Sequence, residues 1–320
     1  MTQPAQLTPI TLRVSLTDRC NFRCHYCMPA QGLAWIPRRE LPSLHALATA
    51  VEFLAHHLGV QRVKLTGGEP LVRPGVVDFV ARLRAVGALA EISLTTNGTH
   101  LARLAGPLKQ AGLARVNVSL DTLDPQRFRR LTRGGELHRV LAGISAALEQ
   151  GLTPVKLNAV LCASSFRHDV PQLVSYAAQS GLEVRFIELM RTGTEAAWAA
   201  GEFVSAQVVQ EFLRQRGELV PLDERPAGPA RRFLYRGAQG EVVVGWITPV
   251  SHSFCQTCNR LRLDARGFLR RCLMDEKALP LLPLLSQGER QALQALAPYL
   301  AGKRPPQAME SALPMSAVGG

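Results

Sequence analysis

Long apolar runs are missing from this 320-residue chain: nothing approaches the roughly 18–20 apolar residues that a membrane-spanning helix requires. The opening segment, Met1 to Ile10, lacks the basic start and apolar stretch of a secretory signal, so the expected location is the cytoplasm. Aromatic residues are scarce, at 6%, and the arginines form no dense run, which argues against a stacking surface for nucleic acid. Internal repeats and low-complexity tracts are absent, which removes solenoids and disordered tails. A disulfide framework is missing too. The seven cysteines fall into Cys20, Cys24 and Cys27 near the start, Cys255, Cys258 and Cys272 near the end, and Cys162 alone. In a cytoplasmic chain such triads read as metal or redox ligands.

What is present is a well-packed composition, 47% hydrophobic, with a formal net charge of +12. A basic excess of this size is either a surface property or the counterpart of an anionic partner such as a phosphorylated small molecule.

Short β-branched runs alternate with helical patterns. Strands are expected at Leu12–Ser15, Val63–Thr66, Ile92–Thr95, Val116–Ser119, Val155–Val160 and Glu183–Glu188. Helices are expected at Leu44–Leu58, Gly75–Val86, Leu101–Ala111, Leu137–Gln150 and Asp169–Ser180, several of them closed by glycine. This alternation specifies parallel βα units, too few for a closed eight-stranded barrel. Both a three-quarter barrel and a doubly wound sheet fit. The pattern then changes: a Pro- and Gly-rich loop at Leu222–Ala230 precedes hairpins at Arg232–Trp246 and Leu261–Cys272, and a helix is expected at Ser286–Leu300. The expected division is residues 1–220 for the βα part and residues 221–320 for a C-terminal region that covers it.

Cys20, Cys24 and Cys27 offer three thiolates from one loop after the first strand. A four-iron cluster takes four cysteine ligands, so three leave one iron open to another donor. Gly67-Gly68-Glu69-Pro70 follows the second strand, where glycine lets backbone approach a ligand closely. Cys255, Cys258 and Cys272 form the second triad. By spacing alone it is either a zinc site completed by His252 or a second cluster with its own open iron. Arg260 and Arg262 alternate along one strand and so share a face, where they can grip phosphate or carboxylate.

The spacing Cys20-x3-Cys24-x2-Cys27, with Tyr26 before the last cysteine, resembles the radical S-adenosylmethionine superfamily. The resemblance narrows with Leu12–Cys20, Leu65–Arg73, Thr95-Thr96-Asn97-Gly98, Asn117–Thr122, Phe186–Met190, Phe254–Leu263 and the terminal Gly319-Gly320. Together, in order and across the chain, these look like the molybdenum cofactor biosynthesis protein A family, the GTP 3′,8-cyclases. The resemblance implies an α/β fold: an incomplete (βα)6 TIM-like barrel closed by a C-terminal α+β region carrying a second Fe–S site. It implies two [4Fe–4S] clusters, held by Cys20, Cys24 and Cys27 and by Cys255, Cys258 and Cys272. It further implies S-adenosyl-L-methionine contacts at Tyr26, Gly68, Ser119 and Met190, and GTP contacts at Arg13, Lys64, Thr95, Lys156, Arg260 and Arg262. Gly319 and Gly320 are expected to thread into the pocket.

The implied reaction is a lyase step in which an adenosyl radical takes hydrogen from C3′ of GTP and the sugar radical closes onto C8. The product is (8S)-3′,8-cyclo-7,8-dihydroguanosine 5′-triphosphate, the first committed intermediate toward molybdopterin. The implied partners are a reductant such as flavodoxin or ferredoxin and a downstream pyranopterin-forming enzyme; a homodimer is left open. Position 64 departs from the family, which usually has arginine there; lysine keeps the charge and loses the two-pronged grip. The competing reading is another two-cluster radical enzyme acting on a peptide or tRNA, for which no docking domain or nucleic-acid module is evident.

Overall fold

Eight strands run parallel side by side, two more than the βα units that the sequence displays. The computed structural model describes residues 10–192, 196–222, 228–306, 310–311 and 315. β1 (Ile10–Ser15), β2 (Val60–Thr66), β3 (Glu91–Thr96), β4 (Arg115–Ser119), β5 (Lys156–Leu161) and β6 (Glu183–Glu188) neighbour one another in chain order. They match the expected strands to within a few residues. Between them run α1 (Leu44–Leu58), α2 (Val76–Arg84), α3 (Leu101–Gln110), α4 (Pro125–Thr132), α5 (Leu137–Glu149) and α6 (Phe166–Ser180). There follow β7 (Arg191–Thr192), α7 (Ala196–Glu202), α8 (Ala206–Arg214), β8 (Gly217–Pro221), β9 (Arg231–Gly237) and β10 (Gly240–Ile247). The rest is β11 (Arg260–Leu263), β12 (Leu269–Arg270), α9 (Leu281–Gln287), α10 (Glu289–Ala301) and β13 (Glu310–Ser311).

The C-terminal region does more than cover the barrel: it lengthens the sheet at both edges. β10 joins β6 in parallel, with Trp246 opposite Phe186, and β11 joins β1 in parallel, with Arg262 opposite Arg13. The full order is β12-β11-β1-β2-β3-β4-β5-β6-β10-β9-β8. The fully buried Trp246 lies 5.3 Å from the Phe186 ring, and such a pair contributes about 0.5–1.5 kcal/mol beyond its buried area.

Helix ends follow from local chemistry. Ser43 caps α1 by accepting from the Ala46 N–H, and Gly59 ends it in the left-handed region at φ 65°. The helix expected at Ser286–Leu300 is broken in two because Gly288, at φ 130°, stands between α9 and α10.

Strand burial alternates. Leu12, Val14, Val63, Leu65, Val116, Val118, Leu157 and Val184 face the helices and form the apolar core. The intervening positions, among them Arg13, Lys64, Ser93, Arg115, Asn117, Lys156, Asn158 and Arg185, point to the concave face. The fold thus puts its hydrocarbon outside the sheet and its polar and basic side chains inside. Among the described residues, no helix is long and apolar enough to cross a membrane.

Candidate active site

The loop after β1 carries Cys20, Cys24 and Cys27 at the C-terminal end of the sheet, where a parallel βα fold builds its ligand sites. It is fastened from two sides. The Gly68 N–H donates to the Thr17 carbonyl at 2.7 Å, and the Glu69 N–H to the Arg19 carbonyl at 2.8 Å. A Cβ on Gly67 would stand 2.5 Å from the Thr17 carbonyl oxygen, and one on Gly68 2.5 Å from that of Asp18. The glycine pair is therefore required by contact with the cysteine loop, a reason the sequence did not disclose. On the other side, the Arg23 and His25 N–H groups donate to the carbonyls of Thr132 and Leu131 at the end of α4.

The Cys20, Cys24 and Cys27 thiols influence one another electrostatically. Burial, the largest cause, raises the Cys20 thiol to about 12 and the Cys24 thiol well above its ordinary value. Holding both as thiolates therefore needs the compensating charge of a metal centre. The Tyr26 hydroxyl donates to Asp121 at 2.7 Å, and the other Asp121 oxygen accepts from the Val160 N–H at 2.8 Å. Burial raises the Asp121 carboxyl to about 6 even though both bonds favour the charged form.

Glu69 ties three segments together. Its carboxylate accepts from the Leu71 N–H at 2.9 Å, the Thr96 hydroxyl at 2.8 Å and the Asn97 N–H at 2.7 Å. Asn97 in turn reaches Asn21, next to Cys20, at 2.7 Å.

The inner face holds a continuous basic group. Arg262, Arg13 and Lys64 sit in register on β11, β1 and β2. Burial, then the charges of Arg13, Arg115 and Arg185, push the Lys64 ammonium well below its ordinary value, against the pull of Glu91. Burial, then Arg13 and Arg260, lower Arg262, which is only 7% exposed. Lys156 pairs with Glu183 at 3.0 Å, Arg185 with the same carboxylate at 2.6 Å, and Arg115 with Glu91 at 2.6 Å. The cations outnumber these two carboxylates, so a polyanion would relieve repulsion already built into the fold. The buried side-chain carbonyl oxygens of Asn117 and Asn158 have no hydrogen-bond partner among the described residues, which suits a ligand bringing hydroxyl or N–H donors.

The second triad sits at the far end of the sheet. β11 runs parallel to β1, so Cys255 and Cys258, which precede it, lie at the N-terminal end of the strands, opposite the first triad. The segment from Thr248 to Cys258 thus descends from the C-terminal end of β10 to the start of β11. Its upper part is anchored by Glu188, 1% exposed, whose carboxylate accepts from the Ala206, Val250 and Ser251 N–H groups. Its lower part is anchored by Lys303, which donates to the carbonyls of Cys258 and Arg260 at 3.0 and 2.8 Å. Burial raises the Cys258 thiol, but Arg260 and Lys303 outweigh it and bring the group down. The Arg262 guanidinium feels both Cys272 and Cys258, which joins this triad to the basic group.

No three His, Cys, Asp or Glu side chains among the described residues gather closely enough for one metal ion. The His252 Nδ1 lies 3.2 Å from the Ser251 hydroxyl.

Arg13, Lys64, Arg260 and Arg262 come together as a group, as do Cys20, Cys24, Cys27 and Tyr26. Ser119 ends β4 and Met190 follows β6, both at the first-triad end. Thr95 accepts from the Asn117 amide at 3.3 Å on the inner face. Lys156 opens β5 and so stands at the end of the sheet opposite the first triad, on the face of the basic group. Gly319 and Gly320 lie outside the described residues. Asp121, Arg115, Arg185, Glu188 and Lys303 were not singled out from sequence. Arg115 and Arg185 carried little signal: Arg115 opens a strand that also holds Asn117 and Ser119, and Arg185 lies between Glu183 and Glu188.

Residues 14–177 match the family described as the Radical SAM superfamily, and residues 182–309 match Molybdenum Cofactor Synthesis C. A curated relative named GTP 3′,8-cyclase 1, from Pseudomonas aeruginosa, is 45% identical over 274 residues, covering 86% of this chain and 82% of its own. A GTP 3′,8-cyclase from Mycolicibacterium smegmatis is 43% identical, covering 97% of this chain and 89% of its own. Among solved structures, Streptococcus suis SuiB bound to precursor peptide SuiA superposes with a TM-score of 0.65 at 13% identity. That match covers 92% of this chain and 66% of SuiB, and it speaks to fold alone.

Proposed function

This chain belongs to the GTP 3′,8-cyclase family of the radical S-adenosylmethionine superfamily, and from that premise we propose how its own residues divide the work. The chain is an enzyme acting at the first step of molybdenum cofactor biosynthesis, converting GTP to its 3′,8-cyclised triphosphate. The observation that carries the assignment of residues is the basic row Arg262, Arg13 and Lys64 between two cysteine triads at opposite ends of one sheet.

In this reading Cys20, Cys24 and Cys27 hold the first cluster and Cys255, Cys258 and Cys272 the second. When bound, the first cluster and S-adenosylmethionine supply a carbon-centred radical able to take hydrogen from a sugar C–H bond. Tyr26, fixed by Asp121, walls the cofactor side. The Gly68 N–H is already used on Thr17, which leaves its carbonyl to accept from the methionyl ammonium. Ser119 and Met190, at neighbouring strand ends, complete that wall.

Arg13, Lys64, Lys156, Arg260 and Arg262 hold the triphosphate and set the nucleotide's depth; guanidinium groups take paired oxygens and lysines act as point charges. Thr95 lies beside the ribose, and Gly319-Gly320 closes the pocket. The apolar outer layer and the descending segment exclude water from the lumen. The frame is residues 1–220, and residues 221–320 bring the second triad. A low-potential protein donates the electron, and a pyranopterin-forming enzyme takes the product.

The test is anaerobic reconstitution followed by incubation with S-adenosylmethionine, dithionite and GTP. Cyclised nucleotide should form together with 5′-deoxyadenosine. Formation of 5′-deoxyadenosine without dependence on GTP, and without cyclised nucleotide, would sink the assignment. The SuiB likeness does not favour a peptide substrate, because at 13% identity it carries the fold and nothing more.

A further inference from the structure

We propose that the outer face of α4, together with Arg23 of the cysteine loop, is the docking surface for an acidic one-electron carrier protein that reduces the first cluster. The inference rests on the reading of Cys20, Cys24 and Cys27 as cluster ligands and adds where the electron enters.

Three observations converge on this surface. The first is attachment. The C-terminal end of α4 is bonded to the cysteine loop, since the Leu131 carbonyl accepts from the His25 N–H at 3.0 Å and the Thr132 carbonyl from the Arg23 N–H at 3.1 Å. Arg133, in the left-handed region at φ 54°, donates to the carbonyls of Arg23 and Met28 at 3.1 and 2.7 Å. Beneath them Phe128 meets Phe22 edge-on at 5.8 Å, so helix and loop move as one body. His25 adjoins Cys24, and the helix surface is therefore joined to a cluster ligand by hydrogen bonds and a few covalent bonds.

The second is charge. α4 reads Pro-Gln-Arg-Phe-Arg-Arg-Leu-Thr. Its Arg127 is neutralised by Asp169 at 3.1 Å, and the nearby Arg139 is paired with Glu136. Arg23, Arg129 and Arg130 are exposed, and none of them has an ion pair among the described residues. The three exposed arginines thus outnumber Asp124, which caps the N-terminus of α4 and feels the charge of Arg130.

The third is direction. A protein-sized donor must approach from the protein surface, and α4, bonded to the cysteine loop through Leu131 and Thr132, presents exposed arginines there, while α7 meets the same loop through Trp198, 6.0 Å from His25. An acidic partner fits because opposite charge steers encounter and sets orientation without requiring a deep apolar contact. The transfer itself balances simply: one electron leaves the carrier, oxidising it by one equivalent, and reduces the cluster by one equivalent. No bond is made and no proton moves.

The experiment compares two reductants on one variant. The affinity of reconstituted wild type and of the Arg129→Glu, Arg130→Glu double variant for oxidised flavodoxin and oxidised ferredoxin is measured by titration calorimetry. The double variant should bind at least tenfold more weakly, and equal affinities would overturn the proposal. Both proteins are also assayed for 5′-deoxyadenosine and cyclised nucleotide. One series is driven by dithionite, the other by reduced flavodoxin and, separately, reduced ferredoxin. Dithionite is small and needs no docking face, so its rate should be unchanged. The carrier-driven rate at limiting carrier should fall at least tenfold, and its decline between about 50 and 200 mM salt should flatten. Arg23→Gln should give a smaller loss in the same direction.

Equal losses with dithionite and carrier would make α4 merely structural and overturn the proposal. So would a carrier-driven rate and salt dependence that the charge reversal leaves intact, or a wild type that neither carrier drives. Failure of wild type to form cyclised nucleotide with dithionite would overturn the reading of the site itself, not the docking surface.

Discussion

Glu188 and Ser251 are joined twice: the Ser251 N–H donates to one carboxylate oxygen at 2.9 Å and its hydroxyl to the other at 2.5 Å. Glu188 ends β6, two residues before Met190, while Ser251 begins the descent toward Cys255. One buried carboxylate therefore links the proposed cofactor wall to the second triad. Glu188→Ala strands the Ala206, Val250 and Ser251 donors and should cost about 3 kcal/mol or more. Melting by circular dichroism should show the loss, with Glu188→Gln intermediate. Iron content should fall toward that of the first cluster alone. An alanine variant with full iron and an unchanged KM for GTP would refute the link.

Cys272→Ala separates the two triads chemically. It should abolish cyclised nucleotide while leaving cleavage of S-adenosylmethionine, read as 5′-deoxyadenosine, at a measurable rate. Iron analysis should report loss of one cluster. Unchanged iron would show that Cys272 is not a ligand.

Lys64 sets binding against stability. It is crowded by Arg13, Arg115 and Arg185, so Lys64→Met should raise the melting temperature of the nucleotide-free protein. The same change should raise the KM for GTP about tenfold or more, since a charge-assisted contact contributes ~1.5–3 kcal/mol. Lys64→Arg should keep the KM within a few-fold. GTP at about 100 times its Kd should stabilise the wild type by ~2.7 kcal/mol, and Lys64→Met by less at the same concentration. A variant with neither change would remove Lys64 from the site.

Glu69 makes stability depend on pH in a defined sense. Burial, outweighing three donated hydrogen bonds, raises its carboxyl from 4.5 to about 7. The folded state then holds this proton more tightly than the unfolded chain does. Its contribution is complete below about pH 4.5 and is lost as pH rises through about 7. The shift corresponds to roughly 3 kcal/mol. Melting of metal-free protein across this window should slope downward with pH, and Glu69→Gln should flatten the slope. Equal slopes would place the titrating group elsewhere.

The sequence was most legible where structure is local. Alternation located β1 to β6, and the closing glycine Gly59 located the end of α1 to the residue. The cysteine spacings and the Gly67-Gly68 pair marked both ends of the proposed site. What stayed hidden depends on distant partners. Nothing in Arg260–Leu263 says that it pairs with β1, or in Gly240–Ile247 that it pairs with β6. Arg115 and Arg185 look like ordinary strand charges until the sheet curves and sets them beside Lys64. The sequence of α4 is too polar for periodicity to disclose its one buried ring, Phe128, or its grip on the cysteine loop. Lys156 falls within an expected strand, but only the structure shows that it opens that strand and pairs with Glu183.

The pairing of β1 with β11 also bears on how the chain is made. β1 leaves the ribosome well before β11, and the edge it turns to β11 has no partner from that strand until residue 260 and those after it have followed. At about 5–20 residues per second that delay is on the order of 10–50 s, during which a bare strand edge can pair with another nascent chain. A ribosome-associated chaperone that shields Ile10–Ser15 should therefore raise the yield of native protein, and slow synthesis that prolongs the delay should lower it.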